Sequence, residues 1–177
     1  MKTPDSRWVQ QAIAEFEEPL IRYAASTGKP MIISTGLANA DEIAEAVEAA
    51  HDAGCREIAL LHCVSGYPAP ARDYHLRTLV DMQTRFGLVT GLSDHTLDHT
   101  TAIASVALGV RIIEKHVTPD RSLGGADDAF SLEPAELAEL CRVVRTAYEA
   151  MGEVSYELKP SEMPSACFRR SLYFMAP

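Results

Sequence analysis

The chain has 177 residues, 47% of them hydrophobic, which is enough for one globular domain with a buried core. Its 25 acidic and 16 basic residues give a formal charge of -9, which excludes non-specific attraction to nucleic acid or to an anionic membrane surface. The sequence has no apolar run near the roughly 18 residues of a membrane helix, and its polar start lacks the apolar segment of a signal peptide. A cytoplasmic protein is therefore predicted.

The elements at the beginning of the chain alternate between helix and strand. The residues Met1–Thr27 predict one helix, interrupted at Pro19, and the β-branched run Pro30–Gly36 predicts a buried strand. Asn39 or Asp41 can cap the next helix. The spacing of apolar residues predicts that this helix covers Asp41–Ala53 and that Gly54 closes it in a left-handed conformation.

The same alternation continues to residue 151. The predicted elements, in order, are the strand Glu57–Cys63, the helix Tyr74–Phe86, the strand Leu88–Leu92, the helix Thr96–Leu108, the strand Val110–His116 and the helix Pro134–Met151. Strands and helices that alternate in this way require parallel strands with right-handed crossovers, hence an α/β protein. Four strands cannot close a barrel of eight, so the chain forms either a small open sheet or part of a (β/α)8 barrel.

Function in parallel α/β folds lies at the carboxyl ends of the strands, so the residues at those ends are the candidates. His95 and His116 follow neighbouring strands, where their side chains can converge, and neutral imidazole suits Zn, Mn or Fe. A two-histidine metal site is predicted. The alternative is two separate, hydrogen-bonded histidines. Asp94, one residue before His95, and Glu114, two residues before His116, are either partners of the imidazoles or residues that face away from them.

Other strand-end residues suit substrates. Ser34 and Ser93 precede helix starts and can bind a phosphate or a carboxylate, or else cap the helices. Lys115 lies within a buried strand, so a salt bridge with an acid is predicted. Tyr67 either contacts a substrate or packs its loop. In the glycine-rich loop that follows the last strand, Asp127 is a candidate for the site.

Six segments together resemble the sialic acid synthase family, whose members condense phosphoenolpyruvate with an amino sugar. The segments are Gly28–Gly36, Leu61–Cys63 with Tyr67–Pro68, Gly91–Thr96, Ile113–His116, Ser131–Pro134 and Arg169–Leu172. The order and spacing of these segments agree with the family from about Glu18 to Tyr173. The version of the loop between Gly124 and Pro134 looks more like the pseudaminic acid synthases than the N-acetylneuraminate synthases.

The resemblance implies a (β/α)8 barrel of which residues 1–152 form the second half, with residues 153–177 as a linker towards an antifreeze-like C-terminal domain. It also implies that His95 and His116 bind a divalent metal, with manganese as the first candidate, as catalytic residues. It further implies that Ser34, Ser65 and Ser93 face phosphoenolpyruvate, that Tyr67 and Asp127 contact the sugar, and that the full-length protein is a homodimer. The product implied is a sialic-type acid, pseudaminic acid first.

Two other interpretations remain. The chain could be a half-barrel without activity that needs dimerisation or an N-terminal fragment, because the strands at residues 30–35 and 110–116 have exposed edges. A metal-dependent aldolase or sugar-phosphate epimerase would share the strand-end histidines, but it would not explain the segments Ser131–Pro134 and Arg169–Leu172.

Overall fold

A computed structural model describes residues 18–169 of the chain. It contains one sheet of four parallel strands in consecutive order, which are β1 (Met31–Ser34), β2 (Ile58–Cys63), β3 (Val89–Ser93) and β4 (Ile112–Glu114). The helices are α1 (residues 18–26), α2 (Ala40–Asp52), α3 (Thr78–Phe86), α4 (Thr100–Ala107) and α5 (Pro134–Met151). The α/β class with four parallel strands and alternating helices is confirmed.

Helix α2 begins at the predicted cap. The side-chain oxygen of Asn39 accepts the amides of Asp41 at 2.9 Å and Glu42 at 3.1 Å, and the Glu42 carboxylate accepts the Asn39 amide at 2.7 Å. This capping box satisfies amides that have no partner within the helix. The helix ends before Gly54, whose φ of 97° is the predicted left-handed conformation.

Two predicted helix starts were wrong by one turn, because local hydrogen bonds replace the helical ones. Helix α3 begins at Thr78 and not at Tyr74, since Ala71–Asp73 forms a 3-10 turn and His75 has a φ of 41°. Helix α4 begins at Thr100 and not at Thr96, because the Thr96 amide and hydroxyl both donate to the Asp94 carboxylate. Its predicted end, Gly109, has the expected positive φ of 91°.

Close packing of the central strands fixes one glycine. A Cβ atom on Gly91 of β3 would lie 2.4 Å from Cδ2 of Leu61 and 2.7 Å from the carbonyl oxygen of Ile112. Only glycine therefore allows β2, β3 and β4 to keep this register. A core cluster that includes Ala50 and Leu60 lies between the sheet and its helices.

The last helix, α5, has the predicted bounds. It starts with Pro134 at its first turn and a capping box between Glu133 and Glu136. Leu140 packs on Ala102 of α4, in a cluster that also contains Leu132 and Ile113. Helix α5 thereby covers α4 and the β4 side of the sheet.

Both outer strands have an unpaired edge in the part of the chain that the structure describes, as predicted, although β4 is shorter than the predicted strand Val110–His116. A groove of about 700 Å³ lies beside β4 and α5, lined mainly by apolar residues such as Val106 and Val144. Ile32 of β1 is 59% exposed, so one face of the sheet is uncovered there.

The structure describes only part of the two segments at the ends of the chain. The predicted helix Met1–Thr27 lies largely outside the described residues, and its remainder is helical at residues 18–26. Residues 153–159 form no helix or strand, and Pro160–Phe168 forms an exposed 3-10 helix. The linker assigned to residues 153–177, and the domain expected after it, stay predictions. Between residues 18 and 169, no helix combines the length and the hydropathy required to cross a bilayer.

Candidate functional site

The ends of β3 and β4 bring the two predicted histidines together. Ser93 and Glu114 are register partners at the last positions of these parallel strands, and His95 and His116 each follow two residues later. The centroids of the two imidazole rings are 5.2 Å apart. The two imidazoles therefore lie next to each other, and their role as metal ligands stays a prediction.

The rings of Tyr67 and Phe130 join the two imidazoles in a compact cluster of four rings. Tyr67 lies 4.3 Å from His95 and 6.0 Å from His116, between ring centroids. Phe130 lies 5.0 Å from His116, 5.4 Å from Tyr67 and 6.5 Å from His95. Tyr67 is 54% exposed, whereas Phe130 is 8% exposed. Phe130 therefore forms an apolar wall of the site that the sequence analysis missed; its only sequence signal was an aromatic residue directly before Ser131 in a polar loop.

His95 is held in one orientation. Its Nδ1 lies 3.0 Å from the carbonyl oxygen of Val64, which only accepts hydrogen bonds, so Nδ1 carries the proton. In the neutral ring, Nε2 then carries the lone pair that a metal ion would require. The ring is 4% exposed. His95 thus has the tautomer of a metal ligand.

The buried side chain of Tyr74 holds the backbone of His95. The Tyr74 hydroxyl accepts the His95 amide at 2.6 Å and donates to the Ser93 carbonyl at 3.3 Å. Burial raises the pKa of Tyr74 to about 12, so the hydroxyl keeps the proton that it donates. The Tyr74 carbonyl in turn accepts a hydrogen bond from Nε2 of His62 at 2.6 Å. The sequence pattern predicted a helix that begins at Tyr74 and did not indicate this role.

His116 is more exposed and has a different partner. Its Nδ1 lies 3.5 Å from the Oδ2 atom of Asp127, and the two side chains are 35% and 59% exposed. Asp127 therefore reaches the site, as the sequence predicted. The next residue, Asp128, accepts the amide of Gly125 at 2.6 Å and stabilises the turn of the same loop.

The described residues contain no group of three or more histidine, cysteine, aspartate or glutamate side chains arranged to hold a metal ion. The two imidazoles nevertheless fit a divalent cation, because the Val64 carbonyl engages Nδ1 of His95 and leaves Nε2 for a metal in the neutral ring, and the His116 ring lies 5.2 Å away between centroids. The remaining ligands of such an ion would be water or substrate oxygen atoms, as in catalytic sites that keep open positions.

The three predicted serines have different surroundings. The Ser93 hydroxyl is buried and donates to Oε1 of Glu114 at 2.7 Å. Ser34 and Ser65 are exposed. A Cβ atom on Gly36 would lie 2.3 Å from the Ser65 hydroxyl oxygen, so the loops after β1 and β2 touch. The alternative role of Ser34 and Ser93 as helix caps is wrong, because the N-cap residues are Asn39 and His99.

The acidic neighbours of the histidines have other partners. Asp94 forms a salt bridge with Lys115 at 3.0 Å, and the two side chains are 0% and 2% exposed. The salt bridge predicted for Lys115 is thus confirmed. Glu114 accepts from Ser93, which places its carboxylate at the strand ends beside the candidate site. Neither acid is bonded to an imidazole in the described residues.

Comparison with known proteins gives consistent matches. The NeuB family matches residues 12–156. The chain is 40% identical over 146 residues to the N,N'-diacetyllegionaminic acid synthase of Campylobacter jejuni, covering 81% of the chain and 44% of that protein. It is 35% identical over 164 residues to the pseudaminic acid synthase of the same species, covering 91% and 48%.

A solved structure matches as well. The N-acetylneuraminic acid (sialic acid) synthetase from Leptospira borgpetersenii aligns with a TM-score of 0.75 and 36% identity, over 87% of this chain and 54% of that one. The chain spans about half the length of the curated relatives it matches. The matches therefore cover the sheet, all four strand ends and the ring cluster.

Proposed function

The chain belongs to the NeuB family, and from this premise we propose that it provides the second half of the barrel of a nonulosonic acid synthase. Such an enzyme condenses phosphoenolpyruvate with an N-acetylated amino or diamino hexose and releases phosphate. The observation that carries the proposal is the convergence of His95 and His116, with their rings 5.2 Å apart at the carboxyl ends of adjacent parallel strands.

The proposed metal ligands are His95 and His116, with manganese as the first candidate ion. A bound divalent ion would supply Lewis-acid polarisation of the aldehyde oxygen of the sugar. His95 contributes Nε2, because its Nδ1 is engaged by the Val64 carbonyl. His116 would be oriented by Asp127, since an acid near one ring nitrogen favours the proton there and leaves the other nitrogen for the ion.

The proposed binding groups for phosphoenolpyruvate are Ser34, Ser65 and Ser93. An anion needs local donors on a chain with a net charge of -9. The Ser93 hydroxyl proton points to Glu114, so anion binding would require this hydroxyl to rotate away from the carboxylate. Attack of C3 of phosphoenolpyruvate on the aldehyde carbon, addition of water at C2 and loss of phosphate complete the proposed reaction.

The proposed contacts with the sugar are Tyr67 and Asp127. The exposed Tyr67 ring can pack on the sugar while Phe130 closes the apolar side, and the Asp127 carboxylate can accept hydroxyl or amide protons. The product we propose first is pseudaminic acid. Its support is the sequence of the loop between Gly124 and Pro134 and the match over 91% of the chain to a pseudaminic acid synthase.

A second candidate is a half-barrel that is inactive until it pairs with a partner fragment or a second copy. The unpaired edges of β1 and β4 favour this candidate, because exposed parallel strands associate readily. The measurement that separates the candidates is the mass in solution together with activity. Phosphate release by a monomer would exclude the second candidate.

The test of the function measures inorganic phosphate. The chain is incubated with phosphoenolpyruvate, Mn²⁺ and, in separate reactions, one N-acetylated amino hexose and two N-acetylated diamino hexoses. We expect release with at least one sugar, and loss of release in His95→Ala and His116→Ala. The same assays are repeated after addition of the first half of the barrel from a pseudaminic acid synthase. No release with any sugar, in either form, would contradict the proposal.

A further inference from the structure

We propose that Lys115 is a positioning residue that ties the two histidine-bearing segments together and so sets the geometry of the imidazole pair. The proposal deepens the proposed function, on which its metal-binding part rests. The two members of a buried ion pair are each adjacent in sequence to one of the two histidines. Asp94 directly precedes His95, Lys115 directly precedes His116, and the two preceding residues form the buried ion pair.

The Lys115 ammonium is fully satisfied. Its Nζ atom donates to Oδ2 of Asp94 at 3.0 Å and to two main-chain carbonyls, those of Thr96 at 2.6 Å and Asp98 at 3.1 Å. An ammonium group has three donors, and all three have an acceptor within the loop that contains His95. Lys115 therefore gathers residues 94–98 around one point and curls the chain there.

Both oxygen atoms of the Asp94 carboxylate also accept hydrogen bonds. The Asp94 carboxylate accepts Lys115 on Oδ2, and on Oδ1 it accepts the Thr96 amide at 2.9 Å and the Thr96 hydroxyl at 2.8 Å. The Asp94 amide donates to the Glu114 carbonyl at 2.9 Å, so the two segments are also joined through the main chain. Since these bonds lie on both sides of His95, they restrict its backbone.

Burial separates this pair from an ordinary surface ion pair. Taking two charges out of water costs several kcal/mol per ion, and apolar residues of similar volume often give equal or higher stability. A pair with side chains 2% and 0% exposed is therefore poorly explained by stability alone. Each member of the pair lies one residue before a histidine. The pair is therefore placed to control the separation of the two imidazole rings.

The experiment uses the full chain and the substitution Lys115→Met, with Lys29→Met as the control at an exposed lysine. Three quantities are measured, namely the tautomer of His95 by imidazole ¹⁵N NMR, amide hydrogen exchange at residues 94–98, and Mn²⁺ affinity by electron paramagnetic resonance. We expect Lys115→Met to give a mixture of His95 tautomers, exchange about tenfold faster or more, and Mn²⁺ binding roughly 10- to 100-fold weaker. The control should match the unmodified chain in all three.

A single His95 tautomer and unchanged exchange in a folded Lys115→Met variant would overturn the proposal. If that variant does not fold, the nearly isosteric Asp94→Asn gives the same readouts and is expected to shift them in the same direction. The double variant should be no worse than the worse single one, because both act on one unit. If the unmodified chain fails to bind Mn²⁺, the metal part of the proposed function fails, and the tautomer and exchange data still decide the role of Lys115.

Discussion

The His95 segment (residues 93–98) and the His116 segment (residues 115–131) form two halves of one site with different rigidity. His95 is 4% exposed, and its ring, amide and carbonyl are each bonded to a different part of the protein. His116 is 35% exposed at its side chain and faces an exposed aspartate. One imidazole is therefore preorganised, whereas the other can adjust to what binds.

The difference in rigidity between the two segments follows from the positions of β3 and β4 in the sheet. β3 has a neighbour on each side, so the chain that leaves it is surrounded by the loops after β2 and β4. β4 is an outer strand of three residues, and the His116 side chain that follows it stays more exposed than that of His95. Rigidity at a strand end thus depends on the position of the strand in the sheet.

The largest expected effect comes from Phe130→Ala, which removes the apolar ring that joins the His116 segment to the cluster. We expect a loss of about 3 kcal/mol in the free energy of unfolding, because the side chain is 8% exposed and its removal leaves a cavity. Urea unfolding measures this, with Leu123→Ala, 70% exposed in the same loop, as the control. Hydrogen exchange should rise in the His116 segment alone. Equal loosening of the His95 segment would contradict the comparison.

The second largest effect is expected from Tyr74→Phe, which removes a hydrogen bond from the His95 segment. The substitution leaves the buried amide of His95 without its acceptor, at a cost of about 2 kcal/mol in unfolding free energy. The control is Tyr148→Phe, since that hydroxyl is exposed and accepts only a long bond, 3.4 Å, from Arg111. If both tyrosine variants lose the same stability, the hydroxyl of Tyr74 does not anchor His95.

A smaller effect, on affinity, is expected from Asp127→Asn in the adjustable half. Loss of the carboxylate removes the charge that orients His116 from 3.5 Å, so Mn²⁺ affinity should fall about tenfold. Stability should change by less than about 0.5 kcal/mol, because the side chain is 59% exposed. Asp52→Asn, at an aspartate of α2 that is 60% exposed, is the control, and isothermal titration calorimetry measures the Mn²⁺ affinity of both variants. A large loss of stability in Asp127→Asn would show that this half is also rigid.

The smallest effect concerns pH. Hydrogen bonds from Thr100, and then the Lys115 charge, hold the pKa of Asp98 below its ordinary value of 3.8. A carboxyl whose pKa is lowered by folding stabilises the fold above that ordinary value, and the contribution is lost as the pH falls through the folded pKa. Asp98→Asn should therefore cost a few tenths of a kcal/mol at pH 7, roughly the value of an exposed charge interaction, and less at pH 2.

Urea unfolding of this variant at pH 7 and pH 2 checks the sign, with Glu48→Gln on the exposed face of α2 as the control. An Asp98→Asn variant whose deficit grew towards pH 2 would contradict it.

The sequence predicts those features of the site that depend on local patterns, but not those that depend on contacts between distant residues. The bounds of α5, the cap at Asn39 and the pairing of the two histidines follow from local patterns and from strand order. The role of Tyr74 does not, because its hydroxyl meets an amide 21 residues away and nothing near it in sequence marks that contact. Local bonding of the Asp94 carboxylate to Thr96 also overrode helical propensity and delayed α4 by one turn.

The loop after His116 is closed at its base by main-chain hydrogen bonds. Val117 and Leu132 form an isolated parallel bridge, with the Thr118 amide bonded to the Leu132 carbonyl and the Leu132 amide bonded to the His116 carbonyl. These main-chain bonds join the two ends of the loop independently of the side chains between them. Asp127 and Phe130, which lie within the loop, are therefore presented to the two imidazoles from a closed base.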